Sequence, residues 1–134
     1  MAHIFPVRVY YEDTDMAGVV YYANYLRYYE RGRTESLRAL GMDQSAMRAA
    51  GLVFVVRAFA VDYLAPARFD DMLEVATMVD RVGGASLAMR QEIRRAGKTI
   101  NRARARVACM TLEGRPARLP PDLRAALERF ARGA

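Results

Sequence analysis

The chain has 134 residues, of which 53% are hydrophobic, and a formal net charge of +6 at pH 7. This length is typical of one domain with its own core, so we expect a single domain over residues 1–134. One cysteine and one histidine exclude an intrachain disulfide and most metal or Ser-His-Asp sites. We therefore expect any chemistry to come from carboxylates, hydroxyls or the backbone.

Signals for membrane insertion or export are not apparent in the sequence. The longest apolar runs, such as residues 51–56, are far shorter than the roughly 18 to 20 residues that cross a bilayer. The stretch MAHIFPVRVYYED lacks the basic start and apolar segment of a signal peptide. We expect no transmembrane segment and a cytoplasmic location.

Charge is distributed unevenly along the chain. Residues 1–80 contain 8 Lys and Arg against 11 Asp and Glu, a net of −3, whereas residues 81–134 contain 13 against 4, a net of +9. A basic half can attract nucleic acid, an acidic protein or a phosphorylated small molecule. Composition leaves these three kinds of partner open.

The first predicted element is a strand at residues 4–11. Val7, Val9 and Tyr11 occupy alternate positions there, which is the period of a strand with one buried face. The other face of this strand would meet solvent.

From Asn24 onward the pattern changes to that of an amphipathic helix. Its inner face recurs every three or four residues, at Tyr25, Tyr29, Gly32, Ser36 and Leu40. Asn24 can cap the start and Gly41 can end the helix, which predicts about 17 residues. Glycine inside a helix costs about 1 kcal/mol relative to alanine, so Gly32 indicates that the helix lies close to a flat surface such as a sheet.

The remaining chain predicts four strands and a short tail helix. The strands are placed at residues 53–64, 73–79, 87–93 and 99–112, with a turn at Gly83–Gly84, and the helix at residues 122–130. On the last strand one face carries Ala103, Ala105, Val107 and Cys109, and the other carries Arg102, Arg104 and Arg106. This order predicts an α+β fold in which strands wrap the long helix.

One long stretch carries a family resemblance. It reads VRVYYEDTDMAGVVYYANYLRYYERGRTESLRALG, residues 7–41, and resembles the hot-dog thioesterases related to 4-hydroxybenzoyl-CoA thioesterase. It is most similar to their Tol-Pal-associated acyl-CoA thioesterase branch. The most specific part is Asp15, Gly18, Val19–Val20 and Asn24–Tyr25. The resemblance extends over nearly the whole chain and is weaker in the tail.

The resemblance implies a fold, an assembly and an activity. The fold is the hot-dog fold, an antiparallel sheet wrapped around one long central helix, here followed by a short C-terminal helix. The assembly is a homodimer or homotetramer with its sites at a subunit interface. The activity is hydrolysis of an acyl-CoA thioester to a free acid and CoA, with no metal and no cofactor besides the CoA of the substrate.

The same resemblance assigns the reaction to particular residues. Thioester hydrolysis needs a carboxylate that attacks the carbonyl or deprotonates water, and donors for the developing oxyanion. The resemblance gives the first role to Asp15 and the second to the backbone N–H of Tyr22. Gly18 would let the backbone approach the substrate closely, and Asn24 and Tyr25 are further substrate-binding candidates. Spacing alone favours a helix cap at Asp15, since most aspartates before a helix are caps, and it is the resemblance that favours catalysis.

The neighbours of Asp15 are given lesser roles. We interpret Glu12 and Asp13 as solvated residues of a strand end and turn, because acidic side chains are rarely buried unpaired. Tyr22 stands where the Tol-Pal branch usually has histidine. Its phenol either lines the pocket or donates a hydrogen bond there, or it packs on the helix. The spacing of Tyr25 and Tyr29 predicts core packing rather than stacking on nucleic-acid bases.

The basic half supplies candidates for binding coenzyme A. Resemblance to the hydroxybenzoyl branch points to the Gly83–Gly84 turn and the segment near Arg115 for phosphate contacts, so Arg81, Arg115 and Arg118 are candidates. The ladder of Arg102, Arg104 and Arg106 could steer coenzyme A or bind an acidic acyl carrier protein. It could also be a solvated sheet face or an oligomer contact. We predict that Cys109 is a buried small hydrophobe.

Two other functions compete with hydrolysis. A module that binds acyl-CoA or acyl carrier protein without turnover would keep the fold and release no thiol. A nucleic-acid binder would use the basic half and show a steep salt dependence of affinity. We favour the thioesterase and expect no nucleic-acid partner.

Overall fold

The computed structural model of the protein describes residues 1–133. Over these residues the elements are β1 His3–Arg8, α1 Tyr25–Ala39, α2 Gln44–Ala49, β2 Leu52–Tyr63, β3 Met72–Val82, β4 Ser86–Arg95, β5 Lys98–Thr111 and α3 Pro121–Ala131. The five strands form one sheet in the order β1-β3-β4-β5-β2, and every pairing is antiparallel. The predicted architecture, an antiparallel sheet around one long helix with a short C-terminal helix, is confirmed.

Helix α1 lies directly against the inner face of the sheet. Four of its five predicted inner residues are buried, and Tyr28 and Leu37 are buried with them. A Cβ atom added at Gly32 would come within 2.6 Å of Val75 Cγ1 on β3. The close approach predicted from this glycine is therefore confirmed, because any larger side chain would push the helix away from the sheet.

Polar contacts fix α1 on the sheet. The buried Gln91 amide donates to the carbonyl of Tyr29 (3.0 Å) and to Thr77 Oγ1 (2.9 Å). Arg33 donates to Gln91 Oε1 (2.9 Å), and the Tyr29 hydroxyl donates to Asn101 Oδ1 (2.5 Å). Burial raises the pKa of the Tyr29 phenol above its ordinary value, so it stays protonated and can donate. Buried hydrogen bonds between helix and sheet favour one arrangement of the two.

The two ends of α1 differ in how well they were predicted. Gly41 has φ +84°, its N–H donates to the Arg38 carbonyl (3.0 Å), and the N–H of Met42 donates to the Leu37 carbonyl (3.1 Å), which is the glycine termination expected. The predicted cap at Asn24 is wrong. Asn24 has helical backbone angles and its side chain makes no capping hydrogen bond, because a short 3-10 turn, Tyr22–Asn24, leads into the helix instead.

Two further local predictions need correction. β1 ends at Arg8 rather than near residue 11, because the chain turns: the N–H of Asp13 donates to the Tyr10 carbonyl at 3.0 Å. The short helix α2 was not predicted. It begins after Asp43, whose Oδ1 accepts the N–H groups of Ser45 (2.9 Å) and Ala46 (3.2 Å), a side-chain cap that the sequence did contain.

The faces of β5 are as predicted. Its alanine, valine and cysteine positions point inward and its three arginines are exposed. Cys109 is buried, and burial raises the pKa of its thiol. Within residues 1–133, no helix has the length and apolar character needed to cross a membrane.

Candidate active site

Asp15 lies at the first position of a tight turn. Its N–H donates to the Val19 carbonyl (2.9 Å) and its carbonyl accepts the N–H of Gly18 (2.9 Å). Thr14 and Val20 pair as an isolated antiparallel bridge at the base of the turn. Gly18 has φ +78°, a left-handed conformation that glycine adopts without the steric cost a Cβ atom brings. This turn requires a left-handed residue at position 18, which explains why Asp15 and Gly18 occur together in the motif.

The Asp15 carboxylate is oriented but only half engaged. Oδ1 accepts the N–H of Ala17 at 2.9 Å, and within residues 1–133 Oδ2 accepts no hydrogen bond. The side chain is exposed. The alternative in which Asp15 caps a helix is wrong, because the N–H it accepts belongs to its own turn. One oxygen is left free to attack a carbonyl or to take a proton from water.

Tyr22 begins the 3-10 turn that precedes α1. Like the first N–H groups of other helices, its N–H has no acceptor among residues 1–133. The Tyr22 carbonyl accepts the hydroxyl of Tyr63 at 2.9 Å. The Tyr22 ring is exposed and lies 4.9 Å from the Tyr21 ring and 6.4 Å from the Tyr63 ring, centroid to centroid. The phenol thus belongs to an exposed aromatic cluster and does not pack in the core.

Sequence reasoning missed Tyr63, the residue that holds the Tyr22 carbonyl. It lies at the end of β2, 41 residues away from Tyr22. Its position next to the turn depends on how β2 lies beside α1, so no local sequence signal points to it.

Asn24 and Tyr25, the other two substrate-binding candidates in the motif, are buried and form hydrogen bonds within the chain. Tyr25 is buried, and its hydroxyl accepts the N–H of Ala67 at 3.1 Å. Its place in the core was predicted correctly, as was that of Tyr29. Asn24 is also buried, and its Nδ2 donates to Asp13 Oδ1 at 3.0 Å.

That contact corrects the interpretation of Asp13. Its side chain is half-buried, and its second oxygen, Oδ2, accepts the N–H of Tyr10 at 2.8 Å. Asp13 is therefore not a solvated bystander, whereas Glu12 is exposed as expected. No local pattern distinguishes the two carboxylates, because the amide partner of Asp13 stands 11 residues further on.

The candidate phosphate-binding arginines are exposed and converge in part. The N–H of Leu119 donates to the Gly84 carbonyl at 2.9 Å, and Arg118 Nη1 lies 3.8 Å from the place of a Cβ atom on Gly84. The Gly83–Gly84 turn and the segment after β5 thus meet at Arg118. Arg81 lies at the end of β3 and Arg115 in the turn after β5, and both side chains are exposed.

A pocket beside α1 does not include the candidate site. It has a volume of about 110 Å³ and is lined by Arg33, Leu37, Phe54 and Leu87 among others, without Asp15. The Asp15 turn is instead an open surface. Within residues 1–133, no three His, Cys, Asp or Glu side chains converge as metal ligands.

The chain belongs to the thioesterase-like superfamily, whose family model matches residues 9–127. Acyl-CoA thioester hydrolase YbgC of Escherichia coli O6:H1 is 48% identical over 120 residues, which are 88% of this chain and 90% of that protein. Acyl-CoA thioesterase YbgC of Haemophilus influenzae is 44% identical over 91% of both chains. A probable thioesterase from Bartonella henselae, 39% identical, superposes with a TM-score of 0.86 over 90% of this chain and 100% of that one. The family resemblance, its branch and the hot-dog fold are confirmed.

Proposed function

We propose that the chain is an acyl-CoA thioesterase that hydrolyses a thioester to a free acid and CoA. The similarity to the YbgC thioesterases over about nine tenths of the chain supports this activity. One structural observation carries the assignment of the site. Asp15 presents an oriented carboxylate with one free oxygen, and the 3-10 turn that leads into α1 offers an N–H without an acceptor at Tyr22.

Asp15 can act in either of two ways. As a nucleophile, the carboxylate attacks the thioester carbon, the C–S bond breaks, CoA leaves as a thiolate, and water then hydrolyses the mixed anhydride. As a general base, the carboxylate takes a proton from water, the resulting hydroxide attacks the same carbon, and the CoA thiolate leaves and is protonated. Both routes pass through an oxyanion on the thioester oxygen, and the N–H of Tyr22 would stabilise it.

Coenzyme A would be held by the basic residues of the C-terminal half. Arg118 beside the Gly83–Gly84 turn is the leading candidate, with Arg81 and Arg115 on the flanking segments. Guanidinium groups bind phosphate with charge-assisted hydrogen bonds. The exposed ladder of Arg102, Arg104 and Arg106, which forms no ion pair within residues 1–133, would attract an acyl chain delivered on acidic acyl carrier protein. An acyl-CoA substrate fits a cytoplasmic location.

The chain is proposed to assemble as a homodimer or homotetramer, and the two sheet edges indicate where. β1 has 6 residues and contains Pro6, which blunts an edge, whereas β2 has 12 residues. Over residues 1–133 β2 pairs with β5 on one side only, and it exposes Val55 and Val56. A second copy would cover this edge. Light scattering is expected to give at least twice the chain mass of 15.1 kDa, and an active monomer would contradict the assembly.

The activity is tested with a panel of acyl-CoA esters, from short aliphatic to aromatic and long chain, by following thiol release. Asp15→Asn removes the charge with little change of shape, so kcat is expected to fall at least about 100-fold while the fold persists. Glu12→Gln is the matched control, since Glu12 is exposed three residues earlier and should retain activity. Equal losses in both variants would contradict the role of Asp15, and no thiol release by the wild-type chain from any ester would contradict the activity.

A further inference from the structure

We propose that Asp13 and Asn24 are positioning residues. Their side chains form a clamp that holds the Asp15 carboxylate and the N–H of Tyr22 in a fixed position relative to one another. This Asp13–Asn24 clamp is the hydrogen bond from Asn24 Nδ2 to Asp13 Oδ1, 3.0 Å long. The proposal rests on the assignment of the reaction to Asp15 and the N–H of Tyr22. Neither clamp residue is needed to touch the substrate.

The two clamp residues lie close to the reacting groups in the chain. Asp13 stands two residues before Asp15, and Asn24 stands two residues after Tyr22. Each clamp residue therefore belongs to the same short segment as one reacting group. The hydrogen bond between Asp13 and Asn24 therefore joins the segment that carries the Asp15 carboxylate to the segment that carries the Tyr22 N–H.

Asp13 is itself anchored on more than one side. Its Oδ2 accepts the N–H of Tyr10 (2.8 Å) and its backbone carbonyl accepts the N–H of Tyr21 (2.9 Å). The N–H of Asp13 donates back to the Tyr10 carbonyl (3.0 Å). The carboxylate thus ties Asn24 to a segment whose backbone is already fixed.

Burial strengthens the contact between the two side chains. Asn24 is 8% exposed, and the buried Tyr28 hydroxyl lies beside the pair. Burial, and then the neighbouring Asp13 carboxylate, raise the pKa of the Tyr28 phenol above its ordinary value. Hydrogen bonds are stronger in such surroundings, and losing one leaves a polar group that water cannot easily reach.

The expected consequence concerns rate. A displacement of about 1 Å between reacting groups can cost about 100-fold. Loosening the clamp would let the Asp15 turn and the Tyr22 N–H shift relative to one another without changing the basic residues that bind coenzyme A. The clamp should therefore affect kcat and leave KM nearly unchanged.

The test exchanges the carboxylate and the amide of the clamp between positions 13 and 24. Asn24→Asp places two carboxylates face to face, so the contact is lost, and kcat is expected to fall at least about tenfold with KM within about twofold. Adding Asp13→Asn should restore the contact, because the amide introduced at position 13 donates to the carboxylate introduced at position 24. The oxygen of that amide still accepts the N–H of Tyr10. The double variant is expected to return to within about threefold of the wild-type kcat. Asp13→Asn alone should be mild, because the Asn24 amide can turn over to accept.

Several outcomes would overturn the proposal. If the Asn24→Asp variant folds and keeps the wild-type kcat, the clamp has no positioning role. A raised KM that Asp13→Asn does not restore would make Asn24 a substrate contact instead. If Asn24→Asp does not fold, the double variant carries the test, and a double variant that is unfolded or inactive overturns the clamp.

The proposed function is tested separately by Asp15→Asn. If Asp15→Asn loses activity while Asn24→Asp keeps it, the clamp fails and the proposed function stands. If Asp15→Asn keeps full activity, the assignment of the reaction to Asp15 fails, and the clamp fails with it.

Discussion

The turn around Asp15 and the basic region at the Gly83–Gly84 turn hold their functional side chains in different ways. Asp15 is fixed through its N–H, its carbonyl and its carboxylate, each in a hydrogen bond of 2.9 Å. At the basic region only the backbone is anchored, by the contact from the N–H of Leu119 to the Gly84 carbonyl. Within residues 1–133 the guanidinium groups of Arg115 and Arg118 form no hydrogen bond or ion pair.

Because of this difference, we expect the Asp15 turn to determine the rate of the reaction and the basic region to determine the affinity for coenzyme A. A reacting group that is held in a fixed position raises the rate, because it loses less entropy when the transition state forms. Phosphate attraction acts over a longer range and tolerates movement of the cation. Changes in the Asp15 turn should therefore lower kcat, and changes in the basic region should raise KM for substrates that carry the nucleotide.

The largest effect below that of Asp15 itself is expected at Gly18. Alanine at φ +78° is strained by about 1 kcal/mol, and the turn would relax by moving Asp15. We expect Gly18→Ala to lower kcat at least about tenfold with KM nearly unchanged, measured by thiol release.

Gly97 provides a matched control for that change. It has φ +81° in the turn between β4 and β5, and a Cβ atom would meet nothing within 4 Å at either glycine. Gly97→Ala should lower the melting temperature about as much as Gly18→Ala and leave kcat intact. Equal kcat in the two variants would mean that the geometry of the Asp15 turn does not set the rate.

Periodicity was sufficient to predict the main elements of the fold. Alternation located β1, β3, β4 and β5, a stretch rich in Val and Phe located β2, and Gly32 predicted the contact between α1 and the sheet that Val75 confirms. These signals are local, or arise from one face of one element. The 6-residue helix α2 was missed because it is too short to show a helical period, although Asp43 offered a cap.

The candidate site was less accessible to sequence reasoning. The resemblance pointed to Asp15 and Tyr22, and the structure adds the turn that presents the one and the free N–H of the other. The roles of Asp13 and Tyr63 depend on partners 11 and 41 residues away. Such pairs form only when the turn and β2 are both in place, so neither composition nor spacing could predict them.

A smaller effect is expected in the basic region. Arg118→Ala should raise KM for acyl-CoA about fivefold, since it removes a charge-assisted phosphate contact at an exposed position. KM for an acyl-pantetheine thioester, which lacks the nucleotide, should not change. Arg115→Ala is expected to act in the same direction more weakly.

Arg48→Ala controls for the loss of charge, because Arg48 is exposed on α2 and its substitution removes one positive charge from an element that carries none of the candidate phosphate-binding arginines. It should leave both KM values unchanged. If Arg118→Ala raises KM equally for acyl-CoA and acyl-pantetheine, the residue does not contact the nucleotide.

The smallest effect is expected at the side chain of Tyr22. If its backbone N–H is the oxyanion donor, Tyr22→Phe preserves that donor and also the contact between the Tyr63 hydroxyl and the Tyr22 carbonyl. We expect kcat to stay within about threefold, far from the roughly 100-fold or greater loss typical of removing an oxyanion donor. Tyr22→His changes the shape of the exposed aromatic cluster, so it should alter the ranking of acyl groups by about 1 to 3 kcal/mol without abolishing hydrolysis. Measuring kcat/KM for both variants over the same acyl-CoA panel checks this division of labour. A collapse of kcat for every thioester in Tyr22→Phe would mean that the hydroxyl, rather than the backbone, takes part in the reaction.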